Sequence, residues 1–208
     1  MIPRYQKVLF IVLLVASLVM AVVLWQLRDR AHQRLVAGED SAPTRAPQVA
    51  PAEQATLLVA NDADNTLQPQ VRSLPLPADP GARARAVLGK LLDLYSTPDA
   101  GHVAPGGANS VSRVFLLPAQ GDRDPQHPDA QLAVVDLAGS FVASHPSGIE
   151  TETLTVLSIC GTLHANLPRV TQIRFLVDGQ PRSTLAGHAD LTRTYLATDA
   201  VPTEGAHL

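Results

Sequence analysis

The chain has 208 residues, 46% of them apolar and 17% charged, with a formal net charge of −3. A single cysteine, Cys160, excludes an intramolecular disulfide and any CxxC metal or redox motif. Charge is uneven: residues 1–34 carry +4, and the remainder carries −7 with no basic cluster, which excludes an ordinary nucleic-acid binder.

Residues 1–7 form a short leader. The run Val8–Trp25 then holds no charge, no proline and no glycine, and Ser17 is its only hydroxyl. Eighteen helical residues at about 1.5 Å each span about 27 Å, close to the hydrocarbon thickness of a bilayer. Lipid offers no partner to an unpaired backbone group, so a helix is the form such a run takes. With the flanking turn it reads as a transmembrane helix, Val8–Leu27, in contact with membrane lipid. Trp25 suits the headgroup boundary. A cleaved signal peptide has an apolar core of about 7–15 residues followed by a small-x-small site. Here Trp25-Gln26-Leu27-Arg28 follows, so an uncleaved signal-anchor is expected. Basic residues nearly balance across it, Arg4 and Lys7 against Arg28, Arg30 and Arg34. The short leader favours an N-terminus inside. This predicts a single-pass protein of the cytoplasmic (inner) membrane with its C-terminal domain outside.

Residues 28–55 read as a juxtamembrane stretch and linker. Arg28–Val36 extends the helix, and Gly38–Gln54 has three prolines and no apolar periodicity, so it is expected to be extended. A single folded domain is expected over residues 56–197. Thr56–Ala60 is a short apolar strand, Asn61–Thr66 a turn and Leu67–Leu76 a second strand. Pro75 and Pro77 confine that second strand to an edge or mark its end. Asp79-Pro80 starts a helix, with Asp as N-cap and Pro in the first turn. Ala84, Val87, Leu88, Leu91, Leu92 and Tyr95 make its apolar stripe. His102–Asn109 is a loop, Val111–Leu117 a strand, Pro118–Ala130 a long polar loop and Gln131–Leu137 the return strand.

Gly139–Gly148 reads as loop. Ser147 and Glu150 fit a capping box, in which Ser caps the helix and Glu reaches back. The helix that follows buries Val156, Ile159, Cys160, Leu163 and Leu167, and Pro168 stops it. Val170–Val177 is a strand. Asp178-Gly179 is a two-residue hairpin signal, because both turn positions need positive φ. A return strand is expected over Pro181–Leu185 and a loose tail over residues 198–208. The fold class is α+β: one compact domain of mixed or antiparallel sheet packed with two helices.

An ordered series of residues runs through the second half of this domain. It comprises Val135-Asp136-Leu137, Ser140-Phe141, Gly148 with Glu150, Thr162-Leu163, Pro168 with Val170, Val177-Asp178-Gly179, Gly187-His188 and Asp190-Leu191. With this series, Ala133–Leu191 resembles the GerMN domain of sporulation and spore-germination protein M and of some envelope lipoproteins. The Pro118–Ala130 loop departs from the tighter connection that the resemblance implies. What it implies further is a compact α+β fold at the cell envelope, without known enzymatic activity. In spore-formers the similar domain supports an assembly spanning two membranes.

Several residues could carry chemistry. His188 with Asp190 could form a base–acid pair or hold a metal, although a zinc site needs three or four ligands. Capping the end of a strand is the plainer role. Cys160 and His164 stand four apart, as a nucleophile and base might, but the apolar stripe turns Cys160 inward, where a thiol is inert. Ser158-Ile159-Cys160-Gly161 lies inside a helix and is no nucleophile elbow. Glu150 and Glu152 begin a helix, where carboxylates meet its positive end. The Gly139–Gly148 loop lacks Lys and Arg and makes a poor phosphate cradle. His102, His127 and His145 lie in polar loops and are expected to be solvated. No catalytic, cofactor-binding or metal residue is assigned, and no cofactor is expected. The sequence thus predicts a membrane-anchored interaction module with an envelope protein as partner. A peptidoglycan binder or wall-active hydrolase using His188 and Asp190 is the alternative.

Overall fold

The structure, a computed structural model, describes residues 17, 18, 20, 52–119 and 129–200. Ser17, Leu18 and Met20 are helical; the rest of Val8–Leu27, residues 28–51 of the linker and residues 201–208 lie outside the described residues. Among the described residues, no helix is long and apolar enough to cross a membrane.

Two strands open the domain, β1 (Ala52–Asn61) and β2 (Thr66–Pro75), paired antiparallel. β1 reaches four residues further toward the N-terminus than its apolar core suggested, because Ala52–Ala55 pair with Arg72–Pro75 whatever their polarity. Pro69 stands opposite Leu58, whose N–H points away from β2 to the Thr162 hydroxyl. In antiparallel pairing both N–H groups of such a pair face outward, so a proline there removes no ladder bond. Pro75 ends β2 on the same outer edge, as its sequence predicted.

Helix α1 (Pro80–Tyr95) follows. Its N-cap is Asp79, whose side chain accepts the N–H of Ala82 at 2.7 Å. The expected stripe from Ala84 to Tyr95 is buried. A 3₁₀ turn at Gly107–Ser110 leads into β3 (Val111–Pro118), which pairs antiparallel with β4 (Gln131–Leu137). Ala119 donates to the Ala130 carbonyl and closes the base of the loop; residues 120–128, His127 among them, lie outside the described residues.

Between β4 and β5 (Val170–Val177) the chain crosses over through α2 (Gly139–Ser144) and α3 (Ile149–Asn166), so β4 and β5 run parallel. α2 replaces the expected Gly139–Gly148 loop; six residues with two buried apolar side chains, Phe141 and Val142, are too few to show a helical period. A short β6 (Tyr195–Leu196) completes a sheet of order β3-β4-β5-β6. Its inner face presents Val135, Leu137, Ile173, Phe175 and Val177 to the core. Phe115 and Leu117 are exposed on β3.

Asp178 and Gly179 have φ of 49° and 74°, the two-residue turn their sequence requires. The Asp136 carboxylate accepts the Gly179 N–H at 2.7 Å, and that of Asp178 accepts the Gly139 N–H at 2.9 Å. A Cβ on Gly139 would lie 2.2 Å from the Asp178 carboxylate, so the brace needs glycine there.

The return strand over Pro181–Leu185 does not form. Only single bridges occur, Val177 with Gln180 and Thr184 with Asp190. Pro181 has no N–H for a ladder, and the segment after it is bound by a buried carboxylate of α3 instead. Nor are residues 198–200 loose: Ala197–Ala200 is a 3₁₀ turn with Ala200 buried near Gly161 of α3.

Candidate functional site

Helix α3 is buried nearly all round, and its interior side chains are not all apolar. Glu152, Thr155, Ser158 and Thr162 are fully buried. Thr162 accepts the N–H of Leu58 at 2.9 Å. Asn166 accepts the N–H of Thr56 at 3.0 Å and donates to its carbonyl at 2.7 Å. Tyr95 of α1 accepts the N–H of Ala60 at 2.8 Å. The outer edge of β1 is thus paired with side chains instead of a strand, which satisfies the buried N–H groups and leaves no edge for another chain.

Glu152 is the hub of a first cluster. Oε2 accepts the N–H groups of Ala186, His188 and Ala189, each at 2.9 Å; Oε1 accepts Nδ1 of His188 at 2.9 Å and the N–H of Gly148 at 3.2 Å. Burial alone would raise its pKa. The Ala186 N–H, the His188 side chain and the N–H groups of His188 and Ala189 outweigh that and bring it down to about 2. Gly187, at φ 130°, lets the loop curl so that its N–H groups converge on one oxygen.

This arrangement corrects two expectations. The capping box does not form: Gly148 is the N-cap without a side-chain bond, Glu152 rather than Glu150 reaches back, and Ser147 faces His188 at 3.4 Å. Nor does Asp190 serve His188. Asp190 accepts the N–H and hydroxyl of Thr192, which lowers its pKa, and the acid beside His188 is Glu152. Ser147, His188 and Glu152 look like a nucleophilic triad, but both contacts fall on Nδ1 of the ring. A relay needs the acid on one nitrogen and the nucleophile on the other.

The second cluster was read from sequence as solvated loop. His102 is fully buried and His145 is 6% exposed. His102 Nδ1 lies 2.6 Å from the carboxylate of Asp62, in the β1–β2 turn, and its Nε2 lies 2.7 Å from the Thr155 hydroxyl. His145 Nε2 reaches the same hydroxyl at 2.8 Å, and its Nδ1 donates to the Pro146 carbonyl at 2.7 Å. Burial holds His145 toward its neutral form. Tyr95 meets His102 edge-on at 4.6 Å, and burial, against a bond to Ser158, pushes the phenol up to about 12.

The remaining candidates are structural in place. Cys160 is fully buried and burial pushes its thiol up. His164 turns its Nδ1–H to the Val170 carbonyl at 2.9 Å. Ser158 donates to the Thr155 carbonyl within the helix, and Glu150 is exposed. Among the described residues, no three His, Cys, Asp or Glu side chains gather as a metal cage. Asp62 and Thr155 escaped the sequence reading. The available signal was a polar series at helical spacing, Thr151, Thr155, Ser158, Thr162 and Asn166, inside an apolar helix.

The sequence profile of the family described as "Germane: Sporulation and spore germination" matches residues 56–183, more than half of the chain. Among curated proteins none matches in sequence. Among solved structures, the chain is similar to the tandem GerMN domains of the sporulation protein GerM from Bacillus subtilis, at 15% identity and a TM-score of 0.42. That likeness covers 71% of this chain and 47% of the tandem structure, so the chain spans about half of that length. It is also similar to the first GerMN domain of the same protein, at 12% identity and a TM-score of 0.38, covering 69% of this chain and 96% of that one.

Proposed function

The chain belongs to the Germane family of sporulation and spore germination domains, and from that premise we propose that it is a non-catalytic interaction module of the bacterial cell envelope. Its apolar run Val8–Leu27 would hold it to the inner membrane, and the domain outside would bind another envelope protein of a sporulation- or germination-type assembly. What supports this is the use the fold makes of its polar residues. Glu152 spends both oxygens on five hydrogen bonds that fix the Ala186–Ala189 loop, so it holds no free lone pair aimed at a substrate. The Ser147 hydroxyl approaches His188 on the same Nδ1 that Glu152 holds, not on Nε2, so the three side chains make no nucleophile relay.

In-cell crosslinking of the full-length protein, followed by identification of what comes down, tests the proposal. A reproducible envelope-protein partner is the expected outcome. Recovery of peptidoglycan fragments without a protein partner overturns it, as does wall turnover that His188→Ala abolishes without lowering Tm.

A further inference from the structure

We propose that the outer face of the β3–β6 sheet is the docking site for one amphipathic helix of a partner protein. The apolar stripe of that helix sits on β3 and β4, and its acidic residues meet Arg113 and Arg174. The inference rests on the reading of the chain as an interaction module and names the face and the kind of segment that meets it.

The sequence of β4 leads there. A sheet with water on one side alternates apolar and polar residues, whereas a strand covered on both faces is apolar almost throughout. β4 reads Gln131-Leu132-Ala133-Val134-Val135-Asp136-Leu137. Ala133, Val135 and Leu137 belong to the core, so the two-residue period turns Leu132 and Val134 to the other face. The register sets Leu117 opposite Leu132 and Phe115 opposite Val134 on that face. Phe115 and Leu117 are each 45% exposed, and Leu196 of β6 is 49% exposed. β4 is thus built as a doubly covered strand, while the buried stripes of α1 and α3 join the core on one side only.

The charges choose the occupant. Strands β3 to β6 hold three charged residues, Arg113, Asp136 and Arg174, and the register puts all three on the outer face. Asp136 is 8% exposed and accepts the Gly179 N–H. Arg113 and Arg174 are exposed, and among the described residues neither has a hydrogen-bond or ion-pair partner. An apolar band bordered by two unpaired guanidinium groups is matched by an apolar stripe bordered by carboxylates. An anionic bilayer suits the arginines but repels the rest of a chain that carries −7 beyond residue 34. A second copy docked face to face would set arginine against arginine.

The form of the occupant follows from what the face offers, which is side chains and no backbone groups. A segment buried there must pair its own N–H and C=O groups, as a helix does. Strand addition at the β3 edge is blocked by α1: Arg85 Nε donates to the Val111 carbonyl at 3.1 Å, and a Cβ on Gly81 would lie 2.8 Å from the Val114 carbonyl. From Arg113 to Leu117 the band runs about 14 Å, the length of about nine helical residues.

Site-directed photocrosslinking in cells that make the full-length chain tests this. p-Benzoylphenylalanine replaces Phe115 in one strain and Ile149, 68% exposed at the start of α3, in another. Mass spectrometry of the crosslinked peptide identifies the segment that touches each position. An adduct at 115 and none at 149 is expected, mapped to a partner segment with apolar residues at helical spacing and Asp or Glu beside them. Arg174→Glu should lower its yield about threefold, and Arg113→Glu with Arg174→Glu about tenfold, at unchanged Tm. Exchanging the partner's acids for Arg should restore it. An adduct at 115 with lipid, with a second copy, with the chain's own residues or with a segment lacking acids overturns the proposal, as does a yield indifferent to both exchanges. Absence of an adduct at 115 overturns it too. If a partner is still recovered at 149 or by general crosslinking, the interaction-module reading survives; if none is, that reading falls with it.

Discussion

Glu152 and Thr155 sit three residues apart on one buried helix and handle polarity in opposite ways. Around Glu152 the donors outnumber the need: three backbone N–H groups, an imidazole and the helix N-cap converge on one carboxylate. Around Thr155 the acceptors outnumber the hydrogens. A carboxylate suits the first because both of its oxygens only accept and can share several donors, and a hydroxyl suits the second because it can both give and receive. The comparison teaches that a buried ion can be the simpler case. Saturated with donors, it holds one ionisation state over a wide pH range, whereas the single hydrogen of the Thr155 hydroxyl stands among two imidazoles and the Thr151 carbonyl.

The strongest way to break the first cluster is Glu152→Gln. The side chain keeps its shape but loses its charge, and its NH₂ meets N–H groups that need an acceptor. A loss of about 3–5 kcal/mol is expected, the range for breaking a buried charged network. Urea unfolding reads the loss, and faster amide exchange at Ala186, His188 and Ala189 locates it. The same cluster responds to acid. Glu152 titrates near 2 when folded and near 4.5 otherwise. Its contribution of about 3 kcal/mol is therefore complete above pH 4.5 and is lost as pH falls from 4.5 toward 2. A melting series through that window in wild type and Glu152→Gln should converge at its acid end. Parallel curves would show that the carboxylate is not the group being protonated.

The second cluster is broken at its centre by Thr155→Val. Valine fills the space but leaves Nε2 of both His102 and His145 without a partner, at an expected cost of about 2–3 kcal/mol. Thr155→Ser restores the hydroxyl and should recover most of it, losing about 1 kcal/mol for the missing methyl. Equal losses in the two variants would mean that packing, not hydrogen bonding, is what Thr155 contributes.

The contrast also marks what a sequence discloses. The stripe of α1, the Asp79 cap and the Asp178-Gly179 turn were legible because each depends on neighbours in sequence: apolar period, one side chain reaching three residues on, two positive φ values. The series from Val135 to Leu191 carried the family for the same reason, as letters in order. What stayed hidden depends on distant partners. His102 reads as a loop residue until Asp62, forty positions earlier, and Thr155, fifty-three positions later, close around it. The Pro181–Leu185 strand was expected because a tight turn usually returns into a ladder. Instead, the segment folds back on the residues just after it, Leu185 N–H bonding the Ala189 carbonyl and Ser183 accepting from Leu191, while Glu152 holds the bend between them through Ala186, His188 and Ala189; nothing local to that segment announces a carboxylate on another helix.

Glu150→Gln gives the smallest effect and the sharpest control. Glu150 and Glu152 stand in the same first turn of α3, carry the same group and meet the same helix dipole. If the dipole were what matters at this end, the two exchanges would cost alike. The side chain of Glu150 is exposed, and at such a position a carboxylate contributes about 0.3–1 kcal/mol at low salt and less when screened. Glu150→Gln should therefore lose no more than about 0.5 kcal/mol at physiological ionic strength, a loss that added salt shrinks further. The loss in Glu152→Gln should barely change with salt, because its partners lie within hydrogen-bond reach and out of solvent. A salt titration of both melting temperatures decides the matter. A salt-sensitive Glu152 loss would return that residue to the helix end. A salt-insensitive one would assign it to the loop that carries His188.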